Sequence, residues 1–206
     1  DLIPVRRYVD SDNSCLFSSI AYLINPLEMD ETSKFKYRLI IANYLQKNNN
    51  LNNIFNNSIF EKNKYIDEIQ DPTKWGGGIE LKIFSDIFKI KIGSIDIKTN
   101  RIDIYGETEN YNQIIYVIYN GVHYDPLVMN FSEAGSNELD ITRFDSEDHN
   151  TLIKFRQFAE KFEKLKEYVD TNQMNLKCVI CNLIFKNESD ATCHASLTGH
   201  DEFNQV

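Results

Sequence analysis

Residues 10–20 read DSDNSCLFSSI, a turn-forming polar run that stops at a cysteine and gives way to apolar residues. The apolar residues continue at helical spacing as far as Ile24, which predicts that a helix begins at or near Cys15. Backbone N–H groups and the positive dipole end at a helix N-terminus favour a thiolate, the nucleophilic form of cysteine. Cys15 is therefore a candidate nucleophile, although a buried cysteine with a purely structural role fits the same residue types.

The composition of the chain narrows the class of protein. Its 206 residues are 42% apolar and 12% aromatic, enough for one globular domain and a small appendage. A net charge of -9 argues against nucleic acid as a partner, because phosphate binding needs clustered Lys and Arg. No apolar run approaches the roughly 20 residues that cross a bilayer, and the first residues lack the apolar segment of a signal peptide. We expect a soluble, cytoplasmic monomer that does not insert into membranes.

Helical and strand patterns are mixed along the chain, which predicts an α+β fold with a central sheet flanked by helices. Beyond Cys15, helical spacing is predicted for residues 30–45, 60–69, 78–88 and 152–169, and strands for residues 5–9, 89–97, 101–105, 114–119 and 122–127. The apolar face of the second helix is predicted to carry Phe35, Leu39, Ile40, Tyr44 and Leu45. The asparagine-rich run at residues 48–57 is interpreted as a solvated insertion.

Two acidic residues could assist Cys15. His123 lies on the last predicted strand and Asp125 follows two positions later, so both side chains should share one face and Asp125 could orient the imidazole. That arrangement is the base and orienter of a nucleophilic triad, although a structural histidine is also consistent with it. Asp12 could cap the Cys15 helix, or its loop could shape an oxyanion hole, and these two roles are compatible.

A glycine-rich loop precedes the fourth predicted helix. Trp75 is followed by Gly76, Gly77 and Gly78, and three consecutive glycines allow backbone to approach another chain or a ligand closely. The loop is not a phosphate-binding loop, because no Gly-Lys-Ser/Thr follows it. Tight helix packing is an alternative explanation for the glycines.

The C-terminal segment has the ligand spacing of a zinc finger. Two cysteines and two histidines, namely Cys178, Cys181, His194 and His200, give C-x2-C-x12-H-x5-H, a set that suits tetrahedral Zn²⁺. Cys193 breaks the spacing and is predicted not to be a ligand. Phe185 and Leu197 fall where the small core of such a finger is expected. The helix region at residues 188–192 is acidic or neutral, so protein contact is expected rather than DNA reading.

Three motifs together resemble the OTU (ovarian tumour) cysteine proteases, which remove ubiquitin. They are DNSCLF at residues 12–17, WGGGIE at 75–80 and GVHYDPL at 121–127, in the order of the family. The ending resembles the OTU branch with a single C-terminal C2H2 finger. The resemblance implies a papain-like OTU domain over residues 1–170 and a zinc finger over residues 171–206.

By this resemblance, each motif has a role. Cys15 is the nucleophile, His123 the general base, Asp125 the orienter, and Asp12 belongs to the loop around the oxyanion hole or to the triad itself. A second set of residues is expected to flank the channel for the Gly-Gly tail of the substrate: Trp75, Gly76, Gly77, Gly78 and Tyr124. Zn²⁺ is implied as a structural cofactor, with none for catalysis.

The resemblance implies a thiol-dependent hydrolase of the isopeptide bond after ubiquitin's last glycine, with ubiquitin and polyubiquitin as partners. Protein quality control and endoplasmic-reticulum-associated degradation follow by the same inference, with a nuclear or cytosolic endoplasmic-reticulum location as variants. Relatives often carry an N-terminal domain that docks on an AAA ATPase segregase, and the 206 residues do not include it. The rival hypotheses are a ubiquitin-binding pseudo-enzyme and a protease for another ubiquitin-like modifier.

Overall fold

The computed structural model describes residues 1–48, 58–170, 175–200 and 202–205. The chain forms two compact units, Asp1–Lys166 and Glu167–Val206. This division lies four residues before the sequence-predicted boundary at residue 170. The interpretation of the asparagine-rich run concerns residues 49–57, which lie outside the described residues, and only Asn48 is described, directly after the second helix.

A six-stranded sheet forms the centre of the first unit. Its strands are β1 (Ile3–Arg6), β2 (Lys91–Asp96), β3 (Ile102–Tyr105), β4 (Gln113–Tyr119), β5 (Tyr124–Asn130) and β6 (Phe144–Asp145). The order is β1-β5-β4-β2-β3, with β6 paired to the start of β4, and only β2 and β4 pair in parallel. The continuous apolar character of β4 matches its central position, because residues there are buried on both faces.

Helices surround this sheet, so the predicted α+β class is confirmed. They are α1 (Cys15–Ile24), α2 (Ser33–Lys47), α3 (Ile59–Gln70), α4 (Gly78–Phe88) and α5 (His149–Lys164). One apolar cluster joins α1 to α4 with the sheet, and Phe17, Ile41 and Val117 are fully buried within it. No helix in the described ranges combines the length and the apolar character needed to cross a bilayer.

Three predicted boundaries are wrong, and each has a physical reason. The strand β1 ends at Arg6 rather than at residue 9, because the Val9 N–H donates to the Asp125 side chain at 2.9 Å instead of a neighbouring strand. His123 lies outside β5, which begins at Tyr124. The helix α5 ends at Lys164 rather than at residue 169, since Lys166 adopts a left-handed conformation with φ of 56°.

The predicted buried face of α2 is also wrong in part. Phe35 and Leu39 are 43% and 48% exposed. Leu45 is fully buried as predicted, and Ile40 and Tyr44 pack partly buried against the core, but the other fully buried large side chains of this helix are Arg38 and Ile41. A charged residue therefore occupies the position that an apolar residue was expected to fill, because backbone carbonyl groups surround it and accept its hydrogen bonds.

The second unit has a small three-stranded sheet and one helix. The elements are β7 (Leu176–Cys178), β8 (Ile184–Phe185), α6 (Glu188–Thr198) and β9 (Phe203–Gln205), with strand order β8-β7-β9. Phe185 packs against His194 and Phe203, with ring centroids 4.8 and 5.9 Å away. Leu197 is 80% exposed, so its predicted place in the small core is wrong. Gly199 ends α6 with φ of 75°, a conformation that favours glycine.

Candidate active site and metal cluster

Cys15 is the first residue of α1, as the sequence pattern predicted. Its side chain lies at the surface of the core, with only 7% of the residue exposed. The preceding loop is held by Asp12, whose Oδ1 accepts the Ser14 N–H at 2.8 Å and whose carbonyl accepts the Cys15 N–H at 3.3 Å. A helix start with unpaired N–H groups therefore lies at the thiol, as a nucleophilic cysteine requires.

His123 is presented to Cys15 by the tight turn between β4 and β5. The Asn120 side chain accepts the His123 N–H at 2.8 Å, and the Asn120 N–H donates to the His123 carbonyl at 3.1 Å. The ring Nε2 lies 3.0 Å from Asp125 Oδ1. The imidazole also hydrogen-bonds the Cys15 side chain. Because Nε2 is engaged by Asp125, Nδ1 is the ring nitrogen left for the thiol.

Asp125 is fully buried and saturated with hydrogen bonds. Its Oδ2 accepts from Arg6 at 2.8 Å, and its Oδ1 accepts the Val9 N–H at 2.9 Å as well as contacting His123. Burial opposes ionisation, but the hydrogen bonds from His123, Val9 and Arg6 outweigh it and lower the pKa of Asp125. The group is therefore a fixed carboxylate that orients the imidazole.

The charge state of His123 follows from its two partners. Hydrogen bonds to Asp125 and to Cys15 raise the pKa of His123 to about 9, against a smaller opposing effect of burial. An imidazolium at neutral pH beside a cysteine at a helix start stabilises negative charge on the attacking sulfur, as nucleophilic catalysis by cysteine requires.

Asp12 lies in the loop before Cys15, and its carboxylate contacts Lys34 and Ser14 rather than His123. Its Oδ2 pairs with Lys34 at 2.7 Å, and no hydrogen bond joins it to His123 within the part of the chain that the structure describes. Burial opposes its ionisation, but the hydrogen bonds from Lys34 and Ser14 lower the pKa of Asp12. The structure thus brings Asp125, rather than Asp12, to the imidazole.

A cleft of about 100 Å³ opens beside Cys15. Three segments line it. The loop before Cys15, called the nucleophile loop, contributes Asp12 and Asn13; the glycine loop contributes Trp75, Gly76 and Gly77; and the β4–β5 hairpin contributes Tyr119, Val122 and Tyr124. Trp75 donates its indole N–H to the Asn13 side chain, which ties the two loops together. The Tyr124 ring stacks on Tyr119 with centroids 4.4 Å apart.

The three glycines have different surroundings. A Cβ on Gly76 would lie 2.7 Å from Leu16 Cδ2, so this glycine permits close packing of the loop on α1. A Cβ on Gly78 would lie 2.9 Å from the Tyr105 hydroxyl, and Gly78 is outside the cleft lining. No described heavy atom lies within 4 Å of a Cβ built on Gly77. Close packing therefore accounts for Gly76 and Gly78, whereas Gly77 lines the cleft with open space where a side chain would lie.

Two buried charged residues of this region were missed by the sequence analysis. Glu80 is 2% exposed and accepts the Gly77 N–H with Oε2 at 2.6 Å, which fixes the start of α4. Glutamate three residues after the residue that precedes the helix was an available signal for this capping contact. Arg38 is 1% exposed and contacts the nucleophile loop through Asn13 and Ser14. In the sequence, the burial of Arg38 was indicated only by the position of a charged residue within an apolar helical stretch.

The second unit contains a separate cluster. The ligand atoms of Cys178, Cys181, His194 and His200 all lie within 4.8 Å of one another. Cys181 Sγ is 3.4 Å from His194 Nε2, and the buried His200 Nδ1 has no hydrogen-bond partner among the described residues. Two thiol and two imidazole groups at such separations suit a small tetrahedral ion with bonds of about 2.0–2.3 Å. Cys193 is exposed and lies outside the cluster.

In chemical terms the first site combines a nucleophile, a base and an orienter. Cys15, His123 and Asp125 are connected by hydrogen bonds, and unpaired N–H groups at the helix start can stabilise negative charge on an acyl oxygen. This arrangement can perform acyl transfer to sulfur.

Comparison with known proteins agrees with this geometry. Residues 10–135 match the OTU-like cysteine protease family. The chain is 37% identical over 202 residues to ubiquitin thioesterase OTU1 of Dictyostelium discoideum, covering 97% of this chain and 61% of that protein. It is 33% identical over 208 residues to ovarian tumor domain-containing deubiquitinating enzyme 2 of Arabidopsis thaliana, covering 98% of each.

A solved structure, described as an ovarian tumor (OTU) domain in complex with ubiquitin, superposes with a TM-score of 0.65 at 27% identity. The match covers 80% of this chain and 89% of that one. The chain spans about 60% of the length of the two OTU1 relatives from Dictyostelium discoideum and Rattus norvegicus. On its motifs, its fold and these similarities, the chain belongs to the OTU-like cysteine protease family.

Proposed function

We propose that this chain is a thiol-dependent deubiquitinase that hydrolyses the isopeptide bond after the C-terminal glycine of ubiquitin. The observation that carries the proposal is the hydrogen-bonded series Cys15, His123 and Asp125 at one end of a glycine-walled cleft. The proposal is further supported by relatives whose names describe ubiquitin thioesterases and a deubiquitinating enzyme.

In the first half-reaction, Cys15 Sγ attacks the carbonyl carbon of the substrate glycine and its proton resides on His123. The tetrahedral intermediate collapses by breaking the C–N bond, and His123 gives its proton to the departing lysine amine. A thioester on Cys15 remains. His123, now neutral, accepts a proton from the water that attacks the thioester, and then returns it to the leaving thiolate. Asp125 holds the imidazole in orientation throughout.

The oxyanion requires donors near Cys15. The Asn13 N–H donates to no acceptor in the described part of the chain, and Asn13 lines the cleft. The Cys15 N–H makes only a long bond of 3.3 Å to the Asp12 carbonyl. The Asn13 N–H is therefore free to donate to a developing negative charge, and the Cys15 N–H can do so by giving up one long hydrogen bond.

The cleft is compatible with a glycine-containing substrate tail. It is small, at about 100 Å³, and Gly76 and Gly77 contribute backbone rather than side chains to its lining. Gly77 lines this cleft without a side chain, so a Gly-Gly tail can lie beside it. Ubiquitin ends in such a tail, and this feature distinguishes the proposal from a protease of broad sequence preference.

Labelling with a ubiquitin that carries a C-terminal electrophile tests the proposal. We expect one adduct per chain, located at Cys15 by peptide mass spectrometry and lost in Cys15→Ala. The exposed Cys193 supplies the matched control, because Cys193→Ser should label as the parent does. Folded protein that does not label at Cys15 would reject the assignment.

Two further measurements separate the rivals. A pseudo-enzyme binds ubiquitin but does not release the fluorophore from a fluorogenic ubiquitin C-terminal amide, whereas a deubiquitinase turns over many equivalents. Parallel assays with other ubiquitin-like modifiers joined to the same fluorophore compare the turnover rates of the different modifiers. Faster turnover of another modifier would replace ubiquitin in the proposal while leaving the chemistry unchanged.

We also propose that the second unit binds one Zn²⁺ as a structural ion. Cys178, Cys181, His194 and His200 supply a tetrahedral donor set, and so few residues gain most of their folding free energy from such a metal. We expect one equivalent of zinc per chain by metal analysis. Cys181→Ser should abolish this stoichiometry and Cys193→Ser should retain it, and the opposite result would contradict the ligand set.

A further inference from the structure

Arg38 is an unusual buried cation. Its guanidinium is 1% exposed, and no carboxylate lies within ion-pairing distance of it in the described residues. Its N–H groups donate instead to one hydroxyl and four backbone carbonyls: Ser14 Oγ at 2.9 and 3.1 Å, Asn13 O at 3.0 Å, Ile69 O at 3.0 Å, Pro72 O at 3.3 Å and Lys74 O at 2.6 Å. Phe17 covers one face at 4.1 Å.

Burial of an arginine without a counter-ion is expensive, so the contacts that compensate it are informative. The acceptors belong to three segments: the nucleophile loop, the end of α3, and the segment directly before Trp75. The first of these lines the cleft through Asp12 and Asn13, and the last leads directly into Trp75, which also lines it. Arg38 therefore connects the nucleophile loop to the segment that precedes the glycine loop, without lining the cleft itself.

The peptide group between Asn13 and Ser14 is held at both ends. Its carbonyl oxygen accepts from Arg38 at 3.0 Å, and its N–H donates to the Asp12 carboxylate at 2.8 Å. This peptide lies between the Asn13 N–H and the Cys15 N–H, the two donors assigned to the oxyanion. A rotation of the peptide would disturb both donors and could turn a carbonyl oxygen toward the charge that they must stabilise.

We propose that Arg38 is a positioning residue for acyl transfer, which fixes the Asn13–Ser14 peptide so that the neighbouring N–H groups form the oxyanion hole. The inference rests on the proposed acyl-transfer function. It assigns to Arg38 no contact with substrate, so its effect reaches the reacting atoms through the loop. Loss of Arg38 should accordingly lower kcat much more than it raises KM.

The variants are Arg38→Met, which keeps the apolar stem, and Arg38→Lys, which keeps the charge but not the planar set of donors. Arg7 provides a control, since its side chain is only 13% exposed and its guanidinium donates to the Glu133 and Gly135 carbonyls and to Asp140 rather than to the nucleophile loop. All are assayed on the fluorogenic ubiquitin amide, with activity expressed per folded molecule from a denaturation curve.

We expect Arg38→Met to lower kcat by about 100-fold, the order of the loss when an oxyanion donor is removed, with KM within about threefold. Arg38→Lys should recover part of this loss. Alkylation of Cys15 by iodoacetamide forms no oxyanion, so its rate should change by less than about fivefold. Arg7→Met should lower the Tm and leave kcat unchanged. A kcat within twofold of the parent, or alkylation that falls in parallel with kcat, overturns the proposal.

A milder variant covers the case in which Arg38→Met does not fold. Ser14→Ala removes the acceptor of two Arg38 donors, while Ser85→Ala removes a buried hydroxyl of α4 that donates to the Ile90 carbonyl. We expect kcat to fall several-fold in Ser14→Ala only. Equal kcat values for these two variants reject the role of Arg38.

Acylation by p-nitrophenyl acetate separates failure of this inference from failure of the proposed function. This ester needs an oxyanion hole but no ubiquitin, and Cys15→Ala gives the background rate. A parent chain that is acylated at Cys15 but does not cleave ubiquitin conjugates would reject ubiquitin as the modifier. In that case slower acylation of the Arg38 variants still supports the positioning role, and unchanged acylation overturns it.

Discussion

Ionisation of the buried Glu80 side chain should make the stability of the folded chain depend on pH. Replacing Glu80 with glutamine should remove this pH dependence. Glu80 is 2% exposed, and one carboxylate oxygen accepts the Gly77 N–H at 2.6 Å. The other oxygen, Oε1, is buried and has no hydrogen-bond partner among the described residues. Ionisation therefore places a negative charge in the core, where the N–H groups of Gly77 and Glu80 and the positive charge of Arg38 stabilise it less than burial destabilises it.

The expected magnitude follows from the pKa. Burial raises the pKa of Glu80 from its ordinary value of 4.5 to about 7. Between these pH values the folded chain holds a proton that the unfolded chain has released, so the free energy of unfolding falls as the pH rises. At about 1.4 kcal/mol per pH unit, the loss between pH 4.5 and 7 is about 3 kcal/mol.

Urea unfolding from pH 4.5 to 7.5 measures this difference. Trp75 is the only tryptophan of the chain and lies in the same loop, so its fluorescence reports on this region. We expect the Glu80→Gln variant to gain about 3 kcal/mol relative to the parent over this range. Glu61, the exposed glutamate at the corresponding position of α3, gives the matched Glu61→Gln control. Parallel stability curves for the parent and Glu80→Gln, within about 0.5 kcal/mol, would refute the reasoning.

Other perturbations test the site directly. Asp125→Asn should lower kcat by about 10³–10⁴-fold through loss of the correct imidazole tautomer, whereas Asp12→Asn should cost less than about tenfold, and the reverse order on the fluorogenic amide would contradict the assignment. Gly76→Ala should lower the free energy of unfolding by about 1–3 kcal/mol, because its Cβ would lie 2.7 Å from Leu16 Cδ2. Gly77→Ala should leave the Tm nearly unchanged and reduce kcat/KM by narrowing the cleft, and a large loss of Tm would count against this view.

Features that depend on nearby residues were predictable from the sequence. The start of α1 at Cys15 was readable because a polar turn and an apolar helical period meet there. The hairpin that presents His123 was readable from its Asn-Gly turn and two apolar runs. The ligand spacing of the finger predicted the Cys178 cluster, since its four residues lie within one short segment.

Features that depend on distant residues were decided only by the tertiary structure. His123 meets Asp125 and not Asp12, although both carboxylates were compatible with the motifs. The strand β1 contributes Arg6 to Asp125 and the segment after it contributes the Val9 N–H, both across more than 110 residues of chain, and these contacts fix the orientation of Asp125. No local sequence pattern predicts these contacts, because the partners lie in different segments and are not related by the spacing of one helix or one strand.

Arg38 illustrates the same division most clearly. The amino-acid sequence determined the helix at α2, the helix start at Cys15 and the glycine loop, each from a short stretch of chain. Which face of α2 is buried depended on carbonyl groups 25 to 36 residues away, which only the folded chain brings around the guanidinium. A buried charge is tolerated where backbone acceptors converge on it, and that convergence is a property of the tertiary structure rather than of any segment.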